Sequence, residues 1–567
     1  MSTREQRLEA PWVLLAGARR RGLAAVAFVE RQSVVRVLGA FVVAQWLAVL
    51  ALARVVRHAG WIYYQGGDQL WYYTLGWLLG HGELTQTRIG YLWSALLAPL
   101  SWIAGPNAAA ALPAIATIDV VVLLPLAMLA FYGIAARIGG KLFGYWAMLL
   151  WLAVPFVGIL YTNQGYHQRY TELFLPQAFG LTGMADFPAM VAAVVAVYFC
   201  VRATFDAAPR LVDAVAGGTA AGAAIAIKPS AVLFVAGPAL AFAYARRFAL
   251  AGVFAAALAP ALVTLAVWKE RGLGNLPVLN GAPPVREHAL AAAAPLAGLD
   301  LHKYLPLNWT WFTRNIDLLR EHFWSGRLLV WLILAGTLGL ARRSPKAALL
   351  VGGWFFAFAI VKGSYTGASV EDGSLFRIMM PSYPAFVLLL ASVPFLLPRV
   401  ARRVGSWSAP FTTPARFRWA AVAAGLAVTA VAPLAAIAAA DRTAPTDAAT
   451  LNATIMPVPS SVDLHVEAHV AGRRVDLSWR NGKPLGSPVF YRVWRARTDG
   501  RTCTPQAGAP LCNVSMAEVG VTRGTAFVDH APRGRWFYRV AVAANWLDDP
   551  QYGDPYVLSA PLEIRVP

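Results

Sequence analysis

Three stretches carry acids where chemistry could use them. The first reads Tyr63-Tyr-Gln-Gly-Gly-Asp68-Gln-Leu-Trp-Tyr-Tyr, so that Asp68 follows two glycines and opens an amphipathic stretch. A carboxylate there can take a proton from a hydroxyl as a general base. It can equally cap the helix it opens, accepting backbone N–H groups at the positive end of the dipole. The second stretch, Tyr166-His-Gln-Arg-Tyr-Thr-Glu172, sets Glu172 near His167 and Arg169. In the third, Gly183-Met-Ala-Asp186-Phe-Pro188, an acid just ahead of proline also reads as a helix start. A later stretch holds His288 and His302-Lys303-Tyr304 without metal-ligand spacing, so no zinc site is expected.

Composition sets the scaffold that must position these groups. Of the 567 residues, 58% are hydrophobic and 14% charged, against roughly 45–50% and about 25% in soluble domains. A single soluble globule and a disordered chain are both excluded, and the expected solvent is a lipid bilayer. The net charge of +20 comes from 49 Lys and Arg against 29 Asp and Glu. These charges bracket apolar runs, as in Arg19-Arg20-Arg21, Arg246-Arg247, Arg342-Arg343 and Arg399/Arg402/Arg403. That is how cytoplasmic flanks of membrane helices look, and no nucleic-acid partner is expected.

Twelve apolar runs follow one another, near 37–56, 91–105, 110–135, 143–160, 181–201, 211–227, 231–245, 249–268, 327–341, 347–361, 380–398 and 419–440. Residues 1–35 are a basic, cytoplasmic segment, whose run Pro11 to Ala18 is too short to span and ends in arginines, so no removable signal peptide is expected. The basic segment 399–418 also belongs inside, which leaves everything after about residue 440 outside. An odd number of crossings is then required. The run 91–105, short and containing Pro99, reads as re-entrant or buried against other helices, giving about eleven crossings, with thirteen as the alternative. A module over 36–440 thus owns four external segments, 58–90, 161–181, 269–326 and 362–379. Binding groups should concentrate in these segments. The long one, broken by Pro277, Pro283, Pro284, Pro295 and Pro306, reads as a lid or acceptor platform, with His302, Lys303 and Tyr304 as its candidates.

A Thr/Ala/Pro linker over 441–459 leads to a different domain over 460–567. Period-two stretches such as Val475-Asp-Leu-Ser-Trp479 and Trp536-Phe-Tyr-Arg-Val-Ala-Val542 are separated by turns at Asn481-Gly482, Asp499-Gly500 and Arg533-Gly534. They predict an antiparallel β-sandwich. Cys503 and Cys512 could close a short disulfide loop if this domain faces an oxidising compartment, whereas Cys200 lies in an apolar run and reads as an inert buried residue. The domain resembles a fibronectin type III domain, through Trp479 on an early strand and Tyr538 ahead of the late one. The resemblance implies a tyrosine corner at Tyr538, whose hydroxyl would bond to backbone.

From Asp68 to Tyr383 the order of motifs resembles the GT-C superfamily of membrane glycosyltransferases, in particular the branch holding the protein O-mannosyltransferases and the aminoarabinose lipid A transferases. The likeness is carried by Gly67-Asp68-Gln-Leu-Trp-Tyr-Tyr with Gly80, by Tyr91-Leu-Trp and Ala98-Pro99, by the small-residue run Gly217 to Ile227 ending in Lys228-Pro229-Ser230, and by Phe376-Arg377-Ile-Met-Met-Pro381-Ser-Tyr-Pro384. It covers 36–440 loosely. It implies a polytopic α-helical, GT-C-like module with Asp68 as the catalytic acid of the first outer loop. A second acid near the next loop would be Asp186, or else Glu172, and Lys228 and Arg377 would hold the donor phosphate. Gln69 stands where the family more often has an acid, which weakens any metal-binding inference there. No cofactor is claimed, and a divalent cation is left open.

The expected function is transfer of a sugar from a polyprenyl-phosphate donor to a cell-envelope glycan, glycolipid or protein, with inversion, on the extracytoplasmic face. Its rival is a polytopic transporter or lipid-carrier flippase with an appended sandwich. A transporter should show repeated halves and midplane ionisable groups, of which Asp119 is the clearest in this chain.

Overall fold

Away from water only helices satisfy the backbone within one segment, so long apolar runs become helices. In the computed structural model the described residues are 24, 27–55, 67–84, 89–104, 108–163, 166–167, 170–273, 307–323, 326–371, 373–402, 415–442, 464–481, 489–497, 517–522, 524–544, 555–559 and 562–567. The expected lid candidates His302, Lys303 and Tyr304, and the pair Cys503 and Cys512, lie outside them.

The helices are α1 (Val34–Val55), α2 (Gly67–Gly80), α3 (Leu92–Ala104), α4 (Ala108–Ile118), α5 (Leu124–Gly139), α6 (Lys141–Tyr161), α7 (Asp186–Phe205), α8 (Leu211–Ile227), α9 (Ala236–Tyr244), α10 (Phe248–Leu273), α11 (Trp309–His322), α12 (Gly326–Arg343), α13 (Pro345–Gly363), α14 (Ser374–Met379), α15 (Tyr383–Ala391), α16 (Ala415–Leu426) and α17 (Ala432–Ala439). A π-helical turn, Asp119–Leu123, joins α4 to α5. Among the described residues eight helices are long and apolar enough to cross a membrane, and Leu92–Ala104, Leu211–Ile227 and Pro229–Tyr244 are shorter apolar helices. The chain is a multi-pass membrane protein.

One expectation from sequence needs correction, and another, the shortness of the run 91–105, holds. The segment 269–326 is not one long loop: α10 runs on to Leu273, and Trp309–His322 is a helix with an Asn308 cap accepting from the Trp311 N–H at 3.0 Å. Residues 91–105 form α3, whose thirteen residues reach about 20 Å at 1.5 Å per residue, short of a bilayer core. This helix packs on α2 through glycine: a Cβ on Gly76 would stand 2.6 Å from the Ser94 carbonyl oxygen.

Small residues set the closest approach elsewhere. Gly218 and Gly222 of α8 lie against the Phe254 carbonyl and Ala261 of α10. Without a strong hydrophobic drive between helices in lipid, such close backbones are how membrane helices gain packing energy.

Cations collect at one end of the bundle and cap helix C-termini, where the dipole favours them. Arg343 donates to the carbonyls of Ile138 and Ala401, Lys346 to Thr204, and Arg247 to Ala203 and Asp206. Arg137 pairs with Asp206 at 3.2 Å and Arg202 with Asp213 at 2.8 Å. These belong to the basic flanks expected from sequence. Cys200 is fully buried, as expected.

β1 (Glu83–Leu84) pairs in parallel with β2 (Asp441–Arg442), and the strands after them form two antiparallel sheets. β3 (Leu464–Ala471), β4 (Arg474–Asn481) and β7 (Ala526–His530) make one, in that order. The other runs β10 (Leu562–Val566), β8 (Gly534–Ala544), β5 (Val489–Arg497) and β6 (Ala517–Thr522), with β9 (Pro555–Leu558) also on β8. Leu477 and Trp479 of one sheet share a core with Tyr491, Val493 and Val540 of the other, and the Trp479 and Tyr491 rings stand 5.2 Å apart. Tyr538 departs from expectation. It sits within β8 rather than ahead of it, and its hydroxyl donates to the Asp529 carboxylate, not to backbone. Burial holds that phenol above its ordinary pKa, so it stays a donor, while Arg495 pairs with the same carboxylate at 2.7 Å.

Candidate active site

At the end of the bundle opposite the arginines, α7 begins where α8 stops. Pro229 forces the preceding residue out of the helix, and Lys228 accordingly has extended φ and ψ of −138° and 104°. Its Nζ forms an ion pair with Asp186, the first residue of α7, which is 3% exposed. Two residues expected from sequence to act separately are thus partners. In this nearly dry site the carboxylate holds the Lys228 Nζ in place.

The loop before Asp186 is held from two sides. Gln69, 2% exposed, accepts from the Gly183 N–H at 2.7 Å, and the Trp93 indole of α3 donates to the Gly183 carbonyl at 3.1 Å. Asp68 is the second residue of α2, so its neighbour in the first turn ties that helix start to the loop that leads to Asp186. Gln69 has a positional role that its residue type did not announce. The side chains of Asp68 and Glu172 lie outside the described set; the backbone of Glu172 is in the π-helical turn Tyr170–Phe174.

Arg377 is half-buried in α14. The turn that follows it, Met380–Ser382, packs on α7 and on Pro229–Val235, the turn after Lys228. The structure therefore joins Asp186 to Lys228 directly and packs the turn after Arg377 on the helix that Asp186 begins and on the turn that follows Lys228.

Above this floor three segments expected to be external are knitted together. Thr162 and Phe323 form a β-bridge, the Asn163 N–H donates to the His322 carbonyl at 2.7 Å, and the Tyr166 hydroxyl donates to the Val370 carbonyl. Asn315 of α11 donates to the carbonyls of Gly363 and Ala368 and accepts from the Val370 N–H. Tyr166, Tyr170, Phe174, Phe323 and Phe376 share ring contacts of 5.1–6.3 Å.

An apolar groove of about 840 Å³ starts beside the ion pair, at Trp93, Leu97, Pro188 and Ile227. It continues past Val195 and Ala220 to Arg202 and Arg418 at the basic end. From Pro188 to Arg202 along α7 the rise is about 21 Å. No motif announces such a groove, because its mostly apolar lining is drawn from six helices, α3, α4, α5, α7, α8 and α16.

Asp119, in the π-helical turn, is fully buried, and neither carboxylate oxygen has a hydrogen-bond partner among the described residues. It lies against Gly180, whose φ of +73° suits glycine. Among the described residues there is no group of three or more His, Cys, Asp or Glu that could hold a metal. The Asp186 carboxylate is taken up by Lys228.

No family model matches the chain, and no curated protein matches it. Among solved structures it is similar to ArnT from Cupriavidus metallidurans in the apo state, with a TM-score of 0.40 and 14% identity over 79% of this chain and 83% of that one. It is likewise similar to the same protein bound to undecaprenyl phosphate, at a TM-score of 0.39 and 15% identity, covering 72% and 76%. The Archaeoglobus fulgidus oligosaccharyltransferase in the apo form follows, at a TM-score of 0.34 and 16% identity. The match covers 73% of this chain and 56% of that one.

Proposed function

We propose that this chain is a GT-C-type glycosyltransferase. It takes a sugar from a polyprenyl-phosphate donor and gives it, with inversion, to a cell-envelope glycan, glycolipid or protein on the extracytoplasmic face. The observation that carries this reading is the buried Asp186–Lys228 pair at the mouth of an apolar groove about 21 Å long. A cation at the end of a lipid-sized groove suits a donor that is phosphate at one end and hydrocarbon behind it.

In this reading the acceptor hydroxyl gives its proton to Asp68 as its oxygen attacks the anomeric carbon, on the face away from the phosphate. The bond from that carbon to the phosphate oxygen breaks, and the electron pair leaves on the phosphate. Lys228 and Arg377 stabilise the charge that develops there. Asp186 keeps Lys228 aimed, and Glu172 orients the acceptor. The polyprenyl tail lies in the groove. The basic end is cytoplasmic under the positive-inside rule, and the chain crosses eleven times: the eight long helices together with Leu211–Ile227, Pro229–Tyr244 and Gly326–Arg343.

The test is transfer from a synthetic polyprenyl phosphate sugar by purified protein in nanodiscs. Asp68→Asn keeps the capping oxygen but cannot accept a proton, so turnover should fall about 10²-fold or more with folding intact. Near wild-type turnover would return Asp68 to a cap.

One observation favours the rival reading: Asp119, within an apolar helical span, has no hydrogen-bond partner among the described residues, and transporters use such acids. Movement of a labelled lipid carrier across proteoliposomes, lost in Asp119→Asn while sugar transfer is absent, would select it.

A further inference from the structure

The basic end of the groove holds a cation, Arg418, one of whose nitrogens has no hydrogen-bond partner among the described residues. Around it, Arg137, Arg202, Arg247, Arg342, Arg343 and Lys346 all have carboxylate or carbonyl partners. Arg418 of α16 lines the groove together with Tyr198, Phe199, Arg202 and Phe417, and its Nη1 is buried with no hydrogen-bond partner among the described residues. Asp213, the acid among the groove's lining residues, pairs with Arg202 at 2.8 Å. A buried guanidinium N–H without an acceptor is costly, and a hydrocarbon tail reaching down from the other end offers it none.

We infer that the basic end of this groove is a separate binding site for an anionic phospholipid of the adjoining leaflet. The lipid phosphate accepts from Arg418 and one acyl chain rises between α7, α8 and α16. Three features select this occupant. The walls beside Arg418 are apolar, at Phe417, Ala421 and Val422, so a free phosphate would leave them wet. The surrounding end of the bundle is basic, which favours an anionic headgroup over a zwitterionic one. The groove is also long and walled by helices, among them α3, α7, α8 and α16, which suits an acyl chain. The site lies about 21 Å from the ion pair along α7, and its acyl chain would share the groove with the donor tail of the proposed function.

The experiment is native mass spectrometry of the full-length protein in mild detergent, titrated with phosphatidylglycerol, phosphatidylcholine or inorganic phosphate. The expected result is one retained phosphatidylglycerol, with phosphatidylcholine weaker. Arg418→Gln should bind phosphatidylglycerol about tenfold more weakly, the worth of one charge-assisted hydrogen bond. Ala421→Trp keeps the cation but fills the groove, and should lose the lipid as well. It also decides the matter if Arg418→Gln does not fold. Arg402→Gln, an exposed cation at the same end that does not line the groove, should bind like wild type. Unchanged binding in Arg418→Gln, or in Ala421→Trp, overturns the site. So does an equal loss in Arg402→Gln, and so does inorganic phosphate competing as well as the lipid.

Discussion

The Gln69 side-chain oxygen accepts from the Gly183 N–H at 2.7 Å, across 114 residues of chain. That bond ties the start of the helix carrying Asp68 to the loop carrying Asp186, so the two candidate acids are positioned by one contact. It also explains how an amide serves where the resemblance implies an acid: the need at this position is an acceptor for a buried backbone donor. Gln69→Leu should strand that donor and cost about 1–3 kcal/mol, read as a lower midpoint of thermal unfolding, and turnover should fall with it. Gln69→Glu restores an acceptor and should recover most of both. Equal damage from Glu and Leu would mean that the amide matters for something other than Gly183.

Lys228 and Asp186 should behave as a unit. Removing one partner leaves the other charged and nearly dry, so Lys228→Met or Asp186→Leu alone should destabilise by about 3–5 kcal/mol. The double variant, with neither charge, should be more stable than the sum of the two predicts. Denaturant or thermal unfolding of the four proteins measures the coupling. Additive losses would mean that the two groups do not share a bond. Catalytic readouts should divide differently. On the proposed role of Lys228 at the donor phosphate, the double variant should regain stability but not donor binding.

Much of the scaffold is legible in the sequence because it follows from solvent and charge. The run 211–227 becomes a helix over the same residues, Leu211–Ile227, since Arg210 and Lys228-Pro229 punctuate it on either side. Basic flanks far apart in sequence meet at one end because a bilayer sorts charge by side. Other features depend on long-range geometry that no local pattern encodes. Lys228 and Asp186 are 42 residues apart, and nothing near either residue names the other. Helix Trp309–His322 escapes notice because the prolines before it suggest a loop, although Asn308 was a usable capping signal. Tyr538 misleads for a related reason: its position along the chain suits a corner, but only the paired strand shows that Asp529 stands within reach.

The groove predicts selectivity by tail length. Ala192 and Ala220 line its middle, and a phenylalanine at Ala220 would fill it without touching the ion pair. Ala220→Phe should raise KM for donors with long polyprenyl tails, whereas donors carrying one or two isoprene units should be used as well as by wild type. Chain-length profiles of KM against kcat test this. A uniform rise for every donor would point to a distorted site instead of a blocked tail.

The arrangement across the membrane gives the last prediction. Cys200 is fully buried, so a membrane-impermeant thiol reagent should not reach it, and an introduced cysteine can be read against little background once Cys503 and Cys512 are bonded or replaced. Thr310, exposed on α11 at the site end, and Arg399, exposed at the basic end, are the positions that separate the two faces. With the basic end cytoplasmic, Thr310→Cys should react in intact cells and Arg399→Cys only after permeabilisation. A cysteine near 480 in the sandwich should react like Thr310→Cys, because the last helix then exits on that side. The same compartment is oxidising, so Cys503 and Cys512 should titrate as no free thiol in protein purified without reductant. The reverse labelling order would put the Asp186–Lys228 site on the cytoplasmic face. The donor would then have to be presented from the opposite leaflet, and a free-thiol count of two in the sandwich should accompany that result.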